Sequence, residues 1–294
     1  MNTLKIKNSI FKVFIELFIW NKKLRSKVKS RWAKLHLKRH VKLAIENTSL
    51  EDAAISKTPK IIWQYWHQGL EDAPLIIKKC LDSVKKYHPD YDIRVVTFDT
   101  IKDYVQIPQK YYDLLEQKNY SIAHFSDVLR LYLLSQYGGV WIDSTIYLTG
   151  RIPEDILNAD FFAFQKDPKT DNFEDKMTCF FITSKQNGMW VNLIKSAIES
   201  YWLNNNYLIH YFIFEHIVTM ISNSNKELQT SWNNMPYYSA DITGKLQDIM
   251  FEQYDKSTSD EIKALTNIHK LTYKNVDKHE TKNTYFEKIV SEGI

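Results

Sequence analysis

Cysteine is nearly absent: Cys80 and Cys179 are the only two in 294 residues. They stand far apart in no metal-ligand spacing, which excludes a disulfide scaffold and a zinc site and points to a reducing compartment. Equally absent are G-x-x-x-x-G-K-[ST], G-x-G-x-x-G and G-x-S-x-G, so the usual signals of P-loop, dinucleotide and serine-hydrolase chemistry are missing. No apolar stretch reaches the roughly 20 residues that a bilayer-spanning helix needs. No small-residue cleavage site follows the N-terminal apolar stripe, which argues against a signal peptide. Internal repeats and low-complexity tracts are also lacking.

What remains is an ordinary globular composition, 44% hydrophobic and 25% charged, with enough chain to bury a large core. Its charge is unevenly placed. The net +4 divides into +12 over residues 1–42, where thirteen Lys or Arg face the single acid Glu16, and −8 over the rest. Within that arm Ile6, Ile10, Phe11, Val13, Phe14, Leu17, Phe18 and Trp20 form a helical apolar stripe interrupted by Lys12 and Glu16. This pattern predicts an amphipathic helix on an anionic membrane surface. The Lys22 to Lys42 stretch would add about 1 kcal/mol per basic residue near the lipid. The competing readings are a helix that packs on the main domain and a nucleic-acid arm. The second lacks base-stacking aromatics and joins an acidic remainder, so no nucleic-acid partner is expected. His36 and His40 have the spacing of helical metal ligands, but Lys34, Lys38 and Arg39 beside them would repel a cation. The arm is assigned to residues 1–55 and one catalytic domain to 56–294.

Along that domain, strands and helices alternate. Lys60 to Tyr65 and Tyr91 to Phe98 read as strands around a helix opened by Pro74 and running to Tyr87. A helix over Ser121 to Tyr137 leads into a strand over Val140 to Leu148. Strands over Phe161 to Gln165 and Thr178 to Thr183 follow, then helices over Gly188 to Leu203 and Leu208 to Ser222. This order predicts an α/β fold whose Rossmann-like mixed sheet is mostly parallel, flanked by helices, and binds ligands at the carboxyl ends of its strands.

The densest chemistry lies between Ser126 and Asp143. Ile122, Phe125, Leu129, Tyr132, Leu133 and Tyr137 repeat at three and four, so Asp127 and Arg130 share a helical face. Gly138-Gly139 can supply the left-handed residue that ends the helix, and Asp143 then falls within the following strand. A carboxylate among Val, Trp and Ile costs several kcal/mol to desolvate unless it is paired, binds a metal or reaches a polar cleft. The alternative is an Asp127–Arg130 ion pair that only pins the helix.

These residues also carry a resemblance. The segment Ser121 to Arg130 together with Tyr137-Gly138-Gly139-Val140-Trp141-Ile142-Asp143 resembles the core of the capsular polysaccharide synthesis family of glycosyltransferases. More distantly it is similar to DXD-containing sugar transferases and to the glucosyltransferase domains of clostridial toxins, all of the GT-A fold. Pro59 to Gly69 and His269 to Lys274 extend it. The resemblance implies transfer of a sugar from a nucleotide donor, UDP-linked by analogy, to a lipid-carried oligosaccharide, with retention of configuration; with the cysteine usage and the basic arm, the expected location is cytoplasmic, on the inner face of the plasma membrane. Other functions to be weighed are toxin-like transfer to protein and a catalytically silent carbohydrate- or membrane-binding protein. By the same carry-over Asp127, Arg130 and Asp143 are the catalytic candidates. Trp66, Gln68, Ser126, Thr145, His269, Lys270 and Lys274 join them as donor-binding candidates, with Trp66 stacking on the base.

The departure from the wider pattern is Asp143-Ser144-Thr145, in which Thr145 stands where DXD families have a second acid. Mg²⁺ or Mn²⁺ prefers carboxylate oxygens, so Asp143 is the one acid left to ligate a metal. Lysines near the C-terminus are the other source of charge for a departing diphosphate. Asp90-Tyr91-Asp92 is a literal Asp-X-Asp, but it precedes its strand and points away from the strand-end cleft. In the aromatic stretch from Tyr207, His210 and Glu215 are the acceptor-side candidates.

Overall fold

The computed structural model describes residues 3–49, 57–167 and 175–294. The chain opens with α1 (Thr3–Phe18) and α2 (Lys22–Asn47), then runs β1 (Ile61–Tyr65), α3 (Leu75–Tyr87), β2 (Asp92–Val96), α4 (Gln109–Glu116) and α5 (Ile122–Tyr137). Next come β3 (Gly139–Ile142), β4 (Ile146–Leu148), α6 (Glu154–Leu157), β5 (Phe161–Gln165), β6 (Met177–Ser184), α7 (Met189–Asn204), α8 (Ile213–Ser222) and α9 (Lys226–Asn233). Short helices then lead to β7 (Ile268–Lys270) and a last helix over Tyr285–Ser291.

The five-stranded sheet has the order β2-β1-β3-β6-β5. Strand β1 pairs parallel with β2 and β3, while β6 pairs antiparallel with β3 and β5. The sheet is mixed as expected, but the mostly parallel arrangement is corrected to an even division. The stretch between Gln165 and Met177 is too short for the helical crossover that a parallel β5–β6 pair would need.

A second correction falls at Asp143. The expected strand from Val140 to Leu148 breaks after Ile142. Asp143 N–H donates to Phe180 O at 2.9 Å, Ile146 N–H donates back to Asp143 O, and Ser144 Oγ donates to Tyr65 O at 2.6 Å. The chain then leaves the main sheet, and β4 pairs antiparallel with β7, with Ile146 opposite Lys270. Asp143 therefore stands at the mouth of a strand rather than inside one.

The glycine pair sets the angle between α5 and β3. Gly138 and Gly139 have φ of +67° and +99°, and a Cβ on either would lie 2.5 Å from backbone, Gln186 N and Ile61 O respectively. Only glycine satisfies both demands without strain.

The two N-terminal helices differ in their packing. On α2, Ala33, Leu37, Val41 and Ala44 are buried in the main core, and His40 Nδ1 lies 2.9 Å from Ser200 Oγ on α7. That helix follows the packing alternative. His36 Nδ1 is engaged with Trp32 O instead of a metal. Helix α1 docks onto α2, with Phe11 stacked on Trp32 at 4.1 Å and Asn8 Oδ1 accepting from Trp32 Nε1 at 3.1 Å. Its Ile10, Val13, Phe14, Leu17 and Phe18 face outward, 55 to 66% exposed, and Trp20 beyond it is 91% exposed. Among the described residues no helix is long and apolar enough to cross a membrane.

Candidate active site

Three neighbouring parallel strands, β2, β1 and β3, end side by side and deliver Phe98, His67 and Asp143 within three residues of their ends. This is the end of an open α/β sheet at which ligands bind. Helix α5 lies against β3, and its N-terminal half brings Ser126, Asp127 and Arg130 to Asp143. Arg130 Nη1 stands 2.7 Å from Asp127 Oδ1, and Nη2 reaches Asp143 Oδ1 at 3.3 Å and Ser126 Oγ at 3.5 Å. From the other side Lys270 Nζ donates to Asp143 Oδ2 at 3.0 Å and to Thr145 Oγ1. The result is an alternating chain of charge, Asp127, Arg130, Asp143, Lys270. Arg130 is 3% exposed, and its Nε finds no acceptor among the described residues.

Electrostatics separates the two carboxylates. Burial pushes Asp143 up, but Lys270 and Arg130 outweigh it and hold the group below the usual range. Asp127 is raised by burial against the pull of Arg130. Beyond Asp127 the network continues into Cys179 on β6, whose Sγ lies 3.7 Å from Asp127 Oδ1 and 3.4 Å from Glu215 Oε1 on α8. Burial, then the charge of Asp127, pushes Glu215 up to about 7. The Cys179 thiol is raised well above its ordinary value by burial and by Glu215, so it is a neutral donor and not a thiolate nucleophile.

The site does not fit a divalent cation in this arrangement. Asp143 Oδ1 accepts from Trp141 Nε1 at 2.9 Å and from Arg130, and Oδ2 accepts from Lys270. The ammonium group thus sits on the carboxylate oxygen a metal would need, with Thr145 as its second partner. Among the described residues no group of three His, Cys, Asp or Glu side chains is placed to hold a metal.

Of the remaining sequence candidates, Glu215 joins the site through Cys179. Gln68 is exposed in the loop after β1. Trp66 is 8% exposed, packed with Ile77, Tyr147 and Leu271 and edge-on to Tyr273 at 5.1 Å, so it is placed in a core cluster rather than as an open platform. The open aromatic pair is His67 and Phe98, with ring centroids 4.7 Å apart and Phe98 37% exposed. Strand alternation turns His269 away from Lys270: it is buried, its Nε2 is 3.0 Å from Thr149 Oγ1, and burial lowers it to about 4. Lys274 is exposed beyond β7. His210 lies in a cavity beside α1, and Asp90 is held by Lys60 and Arg151 on the surface. Phe98 and Cys179 were not legible as site residues, since each follows or sits in a strand with no motif around it, and His67 was passed over beside Trp66 and Gln68 in the segment Pro59 to Gly69 that carries part of the resemblance.

A larger cavity of about 770 Å³, lined by Phe161, Trp190 and Thr230 among others, lies at the opposite end of the sheet. Phe161 pairs with Ser184 and Ser184 with Gly139, where β3 begins, whereas Asp143 follows its end.

A family model described as "Capsular polysaccharide synthesis protein" matches residues 15–289. Among solved structures, "PaToxG Glycosyltransferase" is similar at 14% identity and a TM-score of 0.39, covering 82% of this chain and 95% of that one. No curated protein matches the chain.

Proposed function

The chain belongs to the capsular polysaccharide synthesis protein family, the glycosyltransferase family that its motif region resembles, and we propose that it moves a sugar from a UDP-linked donor to a lipid-carried oligosaccharide. The observation that supports this most is the alternating chain Asp127, Arg130, Asp143, Lys270 at the ends of three parallel strands. A nucleotide sugar needs an aromatic face for its base, fixed hydrogen-bond partners for its hydroxyls and positive charge at its diphosphate. His67 and Phe98 offer the first. Asp127, with Ser126 beside it, offers the second on a helix locked by buried contacts. Lys270 and Arg130 offer the third.

In the reaction proposed, the bond from the sugar's anomeric carbon to the diphosphate breaks with its electron pair on the phosphate oxygen. The acceptor hydroxyl oxygen bonds to that carbon, and its proton passes to the departing phosphate, which gives retention when attack is on the same face. Lys270 and Arg130 neutralise the charge that develops on the leaving group, a role in which one preorganised donor is worth on the order of 10² in rate. Protein cations, rather than Mn²⁺ or Mg²⁺, take this role because Asp143 has given both oxygens to them. Glu215, protonated up to about pH 7, would serve the acceptor as a hydrogen-bond donor in this proposal.

The acceptor is lipid-borne in this proposal because α1 turns an unpartnered apolar face outward amid lysines. That face would lie on the anionic inner surface of the plasma membrane, with the enzyme peripheral and cytoplasmic. A thermal-shift screen of nucleotide sugars tests the donor, since a ligand that binds the folded state raises its apparent stability. UDP-sugars should raise the midpoint and free sugars should not. No shift with any nucleotide sugar at millimolar concentration would remove the donor assignment.

A further inference from the structure

Two exposed aromatic rings flank the charged chain from different sides. Along the sheet order β2-β1-β3-β6-β5, Phe98 follows β2, His67 follows β1, Asp143 follows β3 and Cys179 lies on β6. Helix α8 packs on β6, and its Glu215 reaches Cys179 at 3.4 Å. Tyr211 stands two residues before α8, which puts it on the β6 side of the chain, away from Phe98 on the β2 side.

The first turn of α5 holds both rings. Phe125 packs on Phe98 with centroids 6.1 Å apart, and the adjacent His124 meets Tyr211 edge-on at 5.1 Å. His124 is buried, and both of its ring nitrogens are engaged. Nε2 donates to Tyr211 O at 3.0 Å, and Nδ1 lies 2.8 Å from Ser121 Oγ. Since His124 and Asp127 are three residues apart, they share a face of the helix, so this contact sets Tyr211 beside Asp127. Burial, followed by Asp127, Cys179, Glu215 and Asp143, raises the Tyr211 hydroxyl, and all four of those residues belong to the site.

Tyr211 is thus fixed through its backbone while its ring stays 59% exposed. A tyrosine has only two side-chain torsions to order, so a ring already held in this way loses little freedom when a ligand covers it. The nucleotide base is provided for at His67 and Phe98, and the diphosphate at Lys270 and Arg130. What is left on the β6 side is an aromatic face with two acids, Asp127 and Glu215, near it. A pyranose ring matches that combination, because its C–H groups form an apolar face and its hydroxyls project at the rim.

We propose that Tyr211 is the platform on which the acceptor's terminal sugar ring stacks. This deepens the transferase reading given above and rests on it. The ring supplies the contact, and Asp127 and Glu215 take the hydroxyls at its edge.

Saturation-transfer NMR on the full chain in the presence of UDP reads the stacking directly. The probes are the methyl glycosides of glucose, galactose and N-acetylglucosamine at millimolar concentration. Sorbitol serves as an open-chain comparison that has hydroxyls but no ring face. At least one glycoside should receive saturation, strongest at the C–H groups of one ring face, and sorbitol should receive none. Tyr211→Ala and Tyr211→Leu should each weaken that binding at least tenfold, while Tyr211→Phe should keep it within twofold. All three variants retain the backbone carbonyl that holds His124, and a thermal midpoint checks the fold of each. Saturation of no glycoside, binding that survives in the Ala and Leu variants, or an equal loss in Tyr211→Phe would overturn the platform. Nucleotide release from a UDP-sugar by the unaltered protein is read separately. Its absence would remove the transferase reading, while Tyr211-dependent glycoside binding alone decides the platform.

Discussion

Arg130 is the side chain that joins the two carboxylates of the site, Asp127 and Asp143. It is buried between two carboxylates, and removing one partner of a buried ion pair typically costs 3–5 kcal/mol. Arg130→Lys cannot bridge both acids with a point charge, so turnover should fall at least tenfold and the thermal midpoint should fall with it. Asp127→Asn should lower turnover by at least tenfold, about 1.4 kcal/mol, with a smaller stability change, because Arg130 keeps its second carboxylate, Asp143. Stability losses of equal size in both variants with turnover retained would leave only the ion pair that pins the helix. Glu215 adds a pH dependence. Its folded-state pKa, about 7, lies above the ordinary 4.5, so the folded protein keeps a proton that the unfolded chain releases. Stability is therefore lost as pH rises through that window, by about 1–3 kcal/mol. Glu215→Gln should flatten this slope between pH 4.5 and 7, read by urea unfolding at each pH. An equal slope in the variant would place the proton elsewhere. At this scale the sequence was most legible where residues are close in the chain: the three-residue spacing of Asp127 and Arg130 brings both to one helical face by helix geometry alone. Glu215 and Cys179 meet them only through tertiary packing, and which of the alternating residues His269 and Lys270 faces Asp143 is set by the pairing of β7 with β4.

At the scale of elements, the glycine pair and the two N-terminal helices are the informative cases. Gly139→Ala would place a Cβ 2.5 Å from Ile61 O at a φ of +99°, so it should destabilise by several kcal/mol and displace Asp143. A midpoint unchanged within error would show that β3 can shift without cost. The helix α5 and the strands β1 and β5 were legible to within one or two residues from apolar period and flanking signals. The break after Ile142 was not, because Val, Trp, Ile, Ile, Tyr and Leu on either side read as one continuous strand, and the turn is made by Ser144 and Asp143 bonding to Tyr65 and Phe180. For the arm, a single basic composition covers two different roles. Deleting residues 1–20 should leave a folded protein that no longer sediments with anionic vesicles. Deleting residues 1–42 should abolish cooperative unfolding, since Leu37 and Val41 belong to the main core. A cooperative transition in the longer deletion, followed by circular dichroism, would show that α2 is dispensable.

Over the whole molecule, the fold brings the charged chain together at the strand ends and leaves the apolar face of α1 exposed on the surface. The α/β class and the family were readable from the sequence because element order and the Ser126 to Asp143 segment survive in the primary structure. The placement of Lys270 against Asp143 depends on residues 127 positions apart meeting across the small β4–β7 sheet, and their contact exists only in the folded chain. That contact is the centre of the proposed chemistry, and nucleotide release from a UDP-sugar by the full-length protein in the presence of a chelator tests it most directly. Release should persist largely undiminished by the chelator and fall on the order of 10² in Lys270→Ala. Complete inactivation by the chelator with full rescue by Mn²⁺ or Mg²⁺, and a Lys270→Ala variant that retains its rate, would contradict it.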